Sequence, residues 1–238
     1  MGFSAGLEVG KIDGTSALIL SASLPLVIIY VMKRFPEKSA RLIVASIAIA
    51  GITSGLILLR TSLQASGAPP VAFLVTLPLA YVGLNWTVRA YFGSLSRKKT
   101  MALMLASATI LGALIGTSLS SIVAIAFLLA LTALDVVVVE SNVLPSILGK
   151  TNYSKVVSVA TVPLEKYLVG LGDLLAYSIL STAALRVLGL AGAIETSILI
   201  LLGVSCTFII TKKKGRAPGL LLPVALGLVP LIFGLSLL

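Results

Sequence analysis

Two aspartates stand where the chain is otherwise apolar. Asp135 lies in Leu131-Thr-Ala-Leu-Asp-Val-Val-Val-Val139, and Asp173 lies in Tyr167-Leu-Val-Gly-Leu-Gly-Asp-Leu-Leu-Ala-Tyr177. The other six of the eight acidic residues (Glu8, Asp13, Glu37, Glu140, Glu165 and Glu195) fall at the ends of apolar runs or between them. A carboxylate at bilayer depth costs on the order of 2.5–3.5 kcal/mol, and such residues usually face a cavity and serve function. Two carboxylates within a few ångströms of each other do not both ionise easily, so the pair holds one proton between them. Such a pair can hydrolyse an amide. The ionised partner takes a proton from water as it attacks the carbonyl, and the protonated partner hydrogen-bonds and polarises that carbonyl. This chemistry calls for no metal and no cofactor.

The composition removes the main competitors. There is no histidine, which excludes Ser-His-Asp and Cys-His catalysis, HExxH zinc chemistry and histidine proton relays. The one cysteine, Cys206, allows neither a disulfide within the chain nor a cysteine-based metal site. The net charge of +10 invites a nucleic-acid reading, but the charges sit in short clusters between apolar runs, as membrane-protein loop charges do.

A bilayer must therefore position the two carboxylates. Only 11% of the 238 residues are charged and 58% are hydrophobic, with mean hydropathy +1.14. A soluble domain carries roughly 25% charged residues. A span needs about 20 mainly apolar residues, at about 1.5 Å of helix rise each. The runs are roughly Gly14–Met32, Leu42–Leu59, Val71–Val88, Met101–Gly116, Ser120–Val139, Tyr167–Leu185, Ala193–Thr211 and Pro218–Leu238. The fold class expected is all-α, a single polytopic bundle of about eight spans, since lipid leaves no partner for unpaired backbone groups. A tight hairpin at Thr117-Ser118 divides the fourth span from the fifth. No cleavable signal peptide is expected, because residues 1–13 lack a basic start and hold Glu8, Lys11 and Asp13.

Basic residues orient the bundle. Four (Lys33, Arg34, Lys38, Arg41), four (Arg89, Arg97, Lys98, Lys99), three (Lys150, Lys155, Lys166) and four (Lys212, Lys213, Lys214, Arg216) fall in alternate loops, against three (Lys11, Arg60, Arg186) on the other side. The positive-inside rule places the larger set in the cytoplasm and both termini outside. Asp135 then lies about one turn from the cytoplasmic end of its span, and Asp173 about two turns in from the same face. If the two spans are neighbours, the carboxylates meet. Within the longest loop, Tyr153-Ser-Lys-Val-Val-Ser-Val-Ala-Thr-Val162 is β-branched with partial alternation and is read as a short strand. Gly170 shares a helical face with Asp173 and Gly172 precedes it, so a helix or a substrate backbone can come close.

The run Gly170-Leu171-Gly172-Asp173, followed by Leu174-Leu-Ala-Tyr177-Ser178, resembles the GxGD motif of the presenilin and signal peptide peptidase family of intramembrane aspartyl proteases. The resemblance implies a catalytic dyad of Asp135 and Asp173, with Gly170, Leu171 and Gly172 shaping the substrate site. Asp135 follows Leu134, where the family usually has an aromatic residue, and the 38 residues from Asp135 to Asp173 make a short spacing for the family. A third family motif, Pro-Ala-Leu at the start of the last span, is matched in place by Pro218-Gly219-Leu220, with Gly219 for Ala; Pro223-Val-Ala-Leu226 is the rival alignment. Proline removes a backbone donor and leaves nearby carbonyls free, which suits docking of an extended substrate strand. Nine spans are common in the family, so eight imply a fold lacking the first. The implied substrates are transmembrane polypeptides or signal-peptide remnants, with the bilayer as surroundings and no nucleic-acid partner.

Three other readings stay open. A proton- or cation-coupled transporter or leak channel would use the same aspartates, and predicts broken helices in symmetric pairs. A prepilin-peptidase-like GxGD protease would carry a basic residue soon after Asp173, where Leu174-Leu-Ala stands. A non-catalytic scaffold leaves two costly aspartates unexplained.

Overall fold

A computed structural model describes residues 30–236, apart from residues 32, 68, 142, 165–166 and 216. The expected first span, Gly14–Met32, lies outside the described residues except for Tyr30 and Val31, as do Lys11, Lys166 and Arg216 of the charge pattern.

Most of the described residues are helical. The helices are α1 (Pro36–Ala65), α2 (Pro69–Tyr91), α3 (Arg97–Ser118), α4 (Ser121–Glu140), the short α5 (Val143–Leu148) and α6 (Lys150–Ala160), then α7 (Leu171–Lys214) and α8 (Leu221–Ser236). Two strands, β1 (Thr161–Leu164) and β2 (Tyr167–Gly170), form an antiparallel hairpin ahead of α7. Five helices (α1, α2, α3, α4 and α7) are long and apolar enough to cross a membrane. Large apolar side chains cover their outer faces, among them Leu74 and Ile122, 74% and 76% exposed. Water would not tolerate so wide an apolar surface, whereas lipid does. The protein is thus a membrane-embedded helical bundle.

Helix ends follow local chemistry. Pro36 opens α1 with Glu37 in its first turn, as suits the unpaired N–H groups there. The hairpin between α3 and α4 turns at Leu119-Ser120, two residues later than expected, and the Ser120 hydroxyl accepts the Val123 N–H as the cap of α4. Arg186 closes the other side of this turn, donating to the carbonyls of Thr117 and Leu119, each at 2.6 Å.

The 44 residues of α7 do not form one rod. Gly189 has φ 70° and ψ −166°, a conformation essentially confined to glycine, and the chain reverses there. The hydroxyls of Ser181 and Ser197 lie 3.3 Å apart, whereas 16 residues of straight helix would separate them by about 24 Å. Arms 171–188 and 190–214 thus lie against each other and correspond to two of the expected spans.

Small residues set the central packing. The buried face of α1 is Ser39, Ala40, Val44, Ala48, Gly51 and Ser54, at helical spacing, and Gly51 abuts the Ser107 backbone on α3. On α3, Gly112 and Gly116 meet the first arm of α7. A Cβ at Gly112 would lie 2.5 Å from the Leu175 carbonyl oxygen, and one at Gly116 would lie 2.7 Å from that of Ile179. This is the close approach that a small-xxx-small pattern permits in lipid. Leu128 of α4, Ile179 and Leu180 of α7, and Val224 and Leu231 of α8 fill the core beside it. Gly112→Leu is expected to destabilise the bundle by about 3 kcal/mol or more. Overpacking ordinarily costs about 1–3 kcal/mol, and here the obstacle is main chain. Thermal unfolding in detergent measures this, and an unchanged midpoint would contradict the packing.

The loop between α4 and α7 differs from expectation. Tyr153–Ala160, read as strand, is helical, and only Thr161 and Val162 of that stretch pair as strand. The helix packs against α1, and this packing outweighs the strand preference of its valines. Residues 167–170, read as the start of a span, are strand β2, and the helix begins at Leu171.

Candidate active site

Asp135 lies five residues before the end of α4 at Glu140, as its position in the apolar run predicts. Asp173 lies in the first turn of α7 rather than two turns in, because β2 takes the residues read as the helix start. Its Oδ2 accepts the Gly170 N–H at 3.2 Å. A carboxylate at this position satisfies an otherwise unpaired donor and complements the helix dipole. Helices α4 and α7 pack against each other, so the two spans that carry the aspartates are neighbours. Both side chains are half-buried.

The third element is the irregular segment before α8. The Leu220 N–H donates to Asp135 Oδ2 at 2.8 Å. Gly219 lies against Asp173, where a Cβ at this residue would stand 2.6 Å from Asp173 Oδ2. Pro218-Gly219-Leu220 thus touches both aspartates. Pro223 is buried one turn further into α8, where its Cα would lie 2.5 Å from a Cβ on Gly203 of the second α7 arm. Of the two alignments, the structure brings Pro218–Leu220 to the carboxylates and uses Pro223 for packing.

The remaining candidates take distinct places. Gly170 is the last residue of β2 and the N-cap of α7, within reach of Asp173. Leu171 is 5% exposed and packs with Val44, Ala48, Leu103, Met104 and Ala108, so its side chain ties the start of α7 to α1 and α3. Gly172 is exposed, with open space where a Cβ would be. Leu220 buries its side chain in the core and presents its backbone to Asp135.

Two positioning contacts go beyond the motif residues. The Tyr177 hydroxyl, one turn after Asp173, donates to the Gly219 carbonyl oxygen at 2.9 Å rather than to the carboxylate. In the sequence it is marked by its spacing from Asp173 and by its place in the Tyr177-Ser178 pair that follows the GxGD run. Thr161 pairs with Gly170 across the hairpin, and no local pattern foretells that register. Neither carboxylate is paired with a Lys or Arg among the described residues.

In class, then, this is a membrane-embedded helical bundle with two carboxylates near neighbouring helix ends, both held against one irregular segment. No protein-family model matches the chain, and no curated protein and no solved structure matches it.

Proposed function

We propose that this protein is an intramembrane aspartyl protease of the GxGD type, akin to presenilin and signal peptide peptidase, with about eight spans in this sequence. The observation that carries the reading is the convergence of Asp135 and Asp173 on Pro218-Gly219-Leu220. One carboxylate, ionised, takes a proton from water as the oxygen attacks the scissile carbonyl. The other, protonated, donates to the carbonyl oxygen, and the tetrahedral intermediate then collapses as the nitrogen leaves with a proton. The Leu220 N–H holds the Asp135 carboxylate and the Gly170 N–H holds that of Asp173, so neither needs to search for its orientation. Among the described residues the sheet has two strands, so an extended substrate can add its own backbone alongside β1 or β2, next to Asp173. Substrates are transmembrane segments or signal-peptide remnants that unwind locally. The site faces the cytoplasm and both termini lie outside, as the loop charges favour.

A photoreactive transition-state analogue with a hydroxyl at the scissile position tests this reading. It should label the protein saturably, compete with its unlabelled form, and fail to label Asp173→Asn. Folded protein that takes no saturable label would speak against the reading.

A further inference from the structure

A second site lies at the same end of the bundle. A cavity of about 710 Å³ opens among α1, α2, α3 and α6 and reaches Thr161 at the start of β1. This is the size of a ligand-binding pocket. Its walls are largely apolar, and the charged side chains in them are all basic. Arg41, Arg97, Tyr91, Tyr153 and Ser154 supply cationic and hydroxyl donors, with no acidic side chain among the lining residues. Arg41 is fixed there, donating to the Tyr91 carbonyl at 3.2 Å and to Glu37 at 2.5 Å. Arg97 is the first residue of α3 and has no ion pair with any described residue.

The level of the cavity says what fills it. Lys99 sits 5.8 Å from the Trp86 ring, and Arg34 and Lys38 each 6.0 Å from the Phe35 ring. Aromatic rings beside basic residues at span ends mark the headgroup zone of a bilayer. An apolar chamber at headgroup depth with arginines at its polar end matches one kind of molecule, an amphiphile with an anionic head.

We propose that this cavity binds one anionic phospholipid, its phosphate at Arg97 and Arg41 and its upper acyl chains against the apolar wall, and that the bound lipid steadies the aspartate pair. The link is short. Thr161 lines the cavity and pairs with Gly170, whose N–H holds Asp173 Oδ2. A lipid that fixes Thr161 therefore fixes the strand from which Asp173 is held. Lipid binding stands apart from the protease reading, whereas the effect on cleavage rests on it.

The test is native mass spectrometry of the full chain from phosphatidylcholine vesicles with and without phosphatidylglycerol, beside peptide cleavage in the same vesicles. One phosphatidylglycerol per chain should be retained in preference to phosphatidylcholine. Arg97→Gln should weaken retention roughly fivefold, the factor that one cation contributes near an anionic membrane surface. Ala45→Trp, which fills the cavity, should abolish it, and circular dichroism checks that both variants fold. Equal retention of the two lipids, or retention unmoved by Arg97→Gln, overturns the proposal. Displacement by glycerol phosphate alone also overturns it, in favour of a soluble anion. Phosphatidylglycerol should raise aspartate-dependent cleavage, and Arg97→Gln should remove that rise. Such cleavage indifferent to a retained lipid overturns the coupling. Retained lipid with no cleavage under any condition leaves the site standing, and the protease reading falls instead.

Discussion

Asp135→Asn and Asp173→Asn each lower cleavage of a transmembrane peptide by about 10³-fold, while both variants keep the thermal stability of the parent. The size follows from the proposed mechanism, in which a positioned acid or base contributes roughly 10²–10⁴-fold and each member of the pair acts in both proton transfers. Preserved stability is the sharper part of the expectation. Asp173 caps α7 through the Gly170 N–H, and Asp135 accepts the Leu220 N–H. Asparagine keeps an acceptor oxygen for both bonds but cannot take or give the proton. If the aspartates served only as caps and tethers, Asn would be harmless. Loss of cleavage without loss of stability, read by peptide turnover beside thermal unfolding, separates the two roles.

Gly219→Ala is the next largest effect, a loss of about tenfold to a hundredfold in turnover with little change in substrate affinity. The added Cβ would stand 2.6 Å from Asp173 Oδ2, closer than such atoms ever approach, so the carboxylate must rotate away. That rotation breaks its alignment with the Gly170 N–H and with Asp135. A displacement near 1 Å in a catalytic group can cost about 10²-fold. The Tyr177 hydroxyl holds the Gly219 carbonyl, so the segment cannot simply retreat. Initial-rate kinetics separate the two parameters, and an Ala variant with parental turnover would mean that this segment does not confine Asp173.

The parts of this site that were legible in the sequence are those carried by solvent preference. Asp135 and Asp173 stand out because lipid makes a carboxylate conspicuous. The alternation of basic loops puts them at one end of the bundle, and Arg41 and Tyr91 meeting across α1 and α2 agrees with that alternation. The helix reversal between residues 185 and 193 was also legible as a break in the apolar run, though not the backbone angle at Gly189 that makes it. What escaped was set by long-range pairing. The valines of α6 favour a strand locally, yet this segment docks on α1 as a helix. Tyr167–Gly170 is apolar enough to extend a span, yet it pairs with Thr161–Leu164. That single difference moves Asp173 from mid-helix to the first turn. The cavity was likewise invisible, because Arg41, Arg97 and Thr161 are brought together only by packing.

The most direct test of the central claim is cleavage of a single-span peptide by the purified protein in water enriched in oxygen-18, with the products weighed by mass spectrometry. The expected result is two fragments cut within the apolar segment, with one heavy oxygen in the new carboxyl terminus, absent with Asp135→Asn and with Asp173→Asn. Folded protein that cuts no peptide across a broad panel, but passes protons or cations in a manner lost with the same two substitutions, would contradict it and make the aspartates a conduction path.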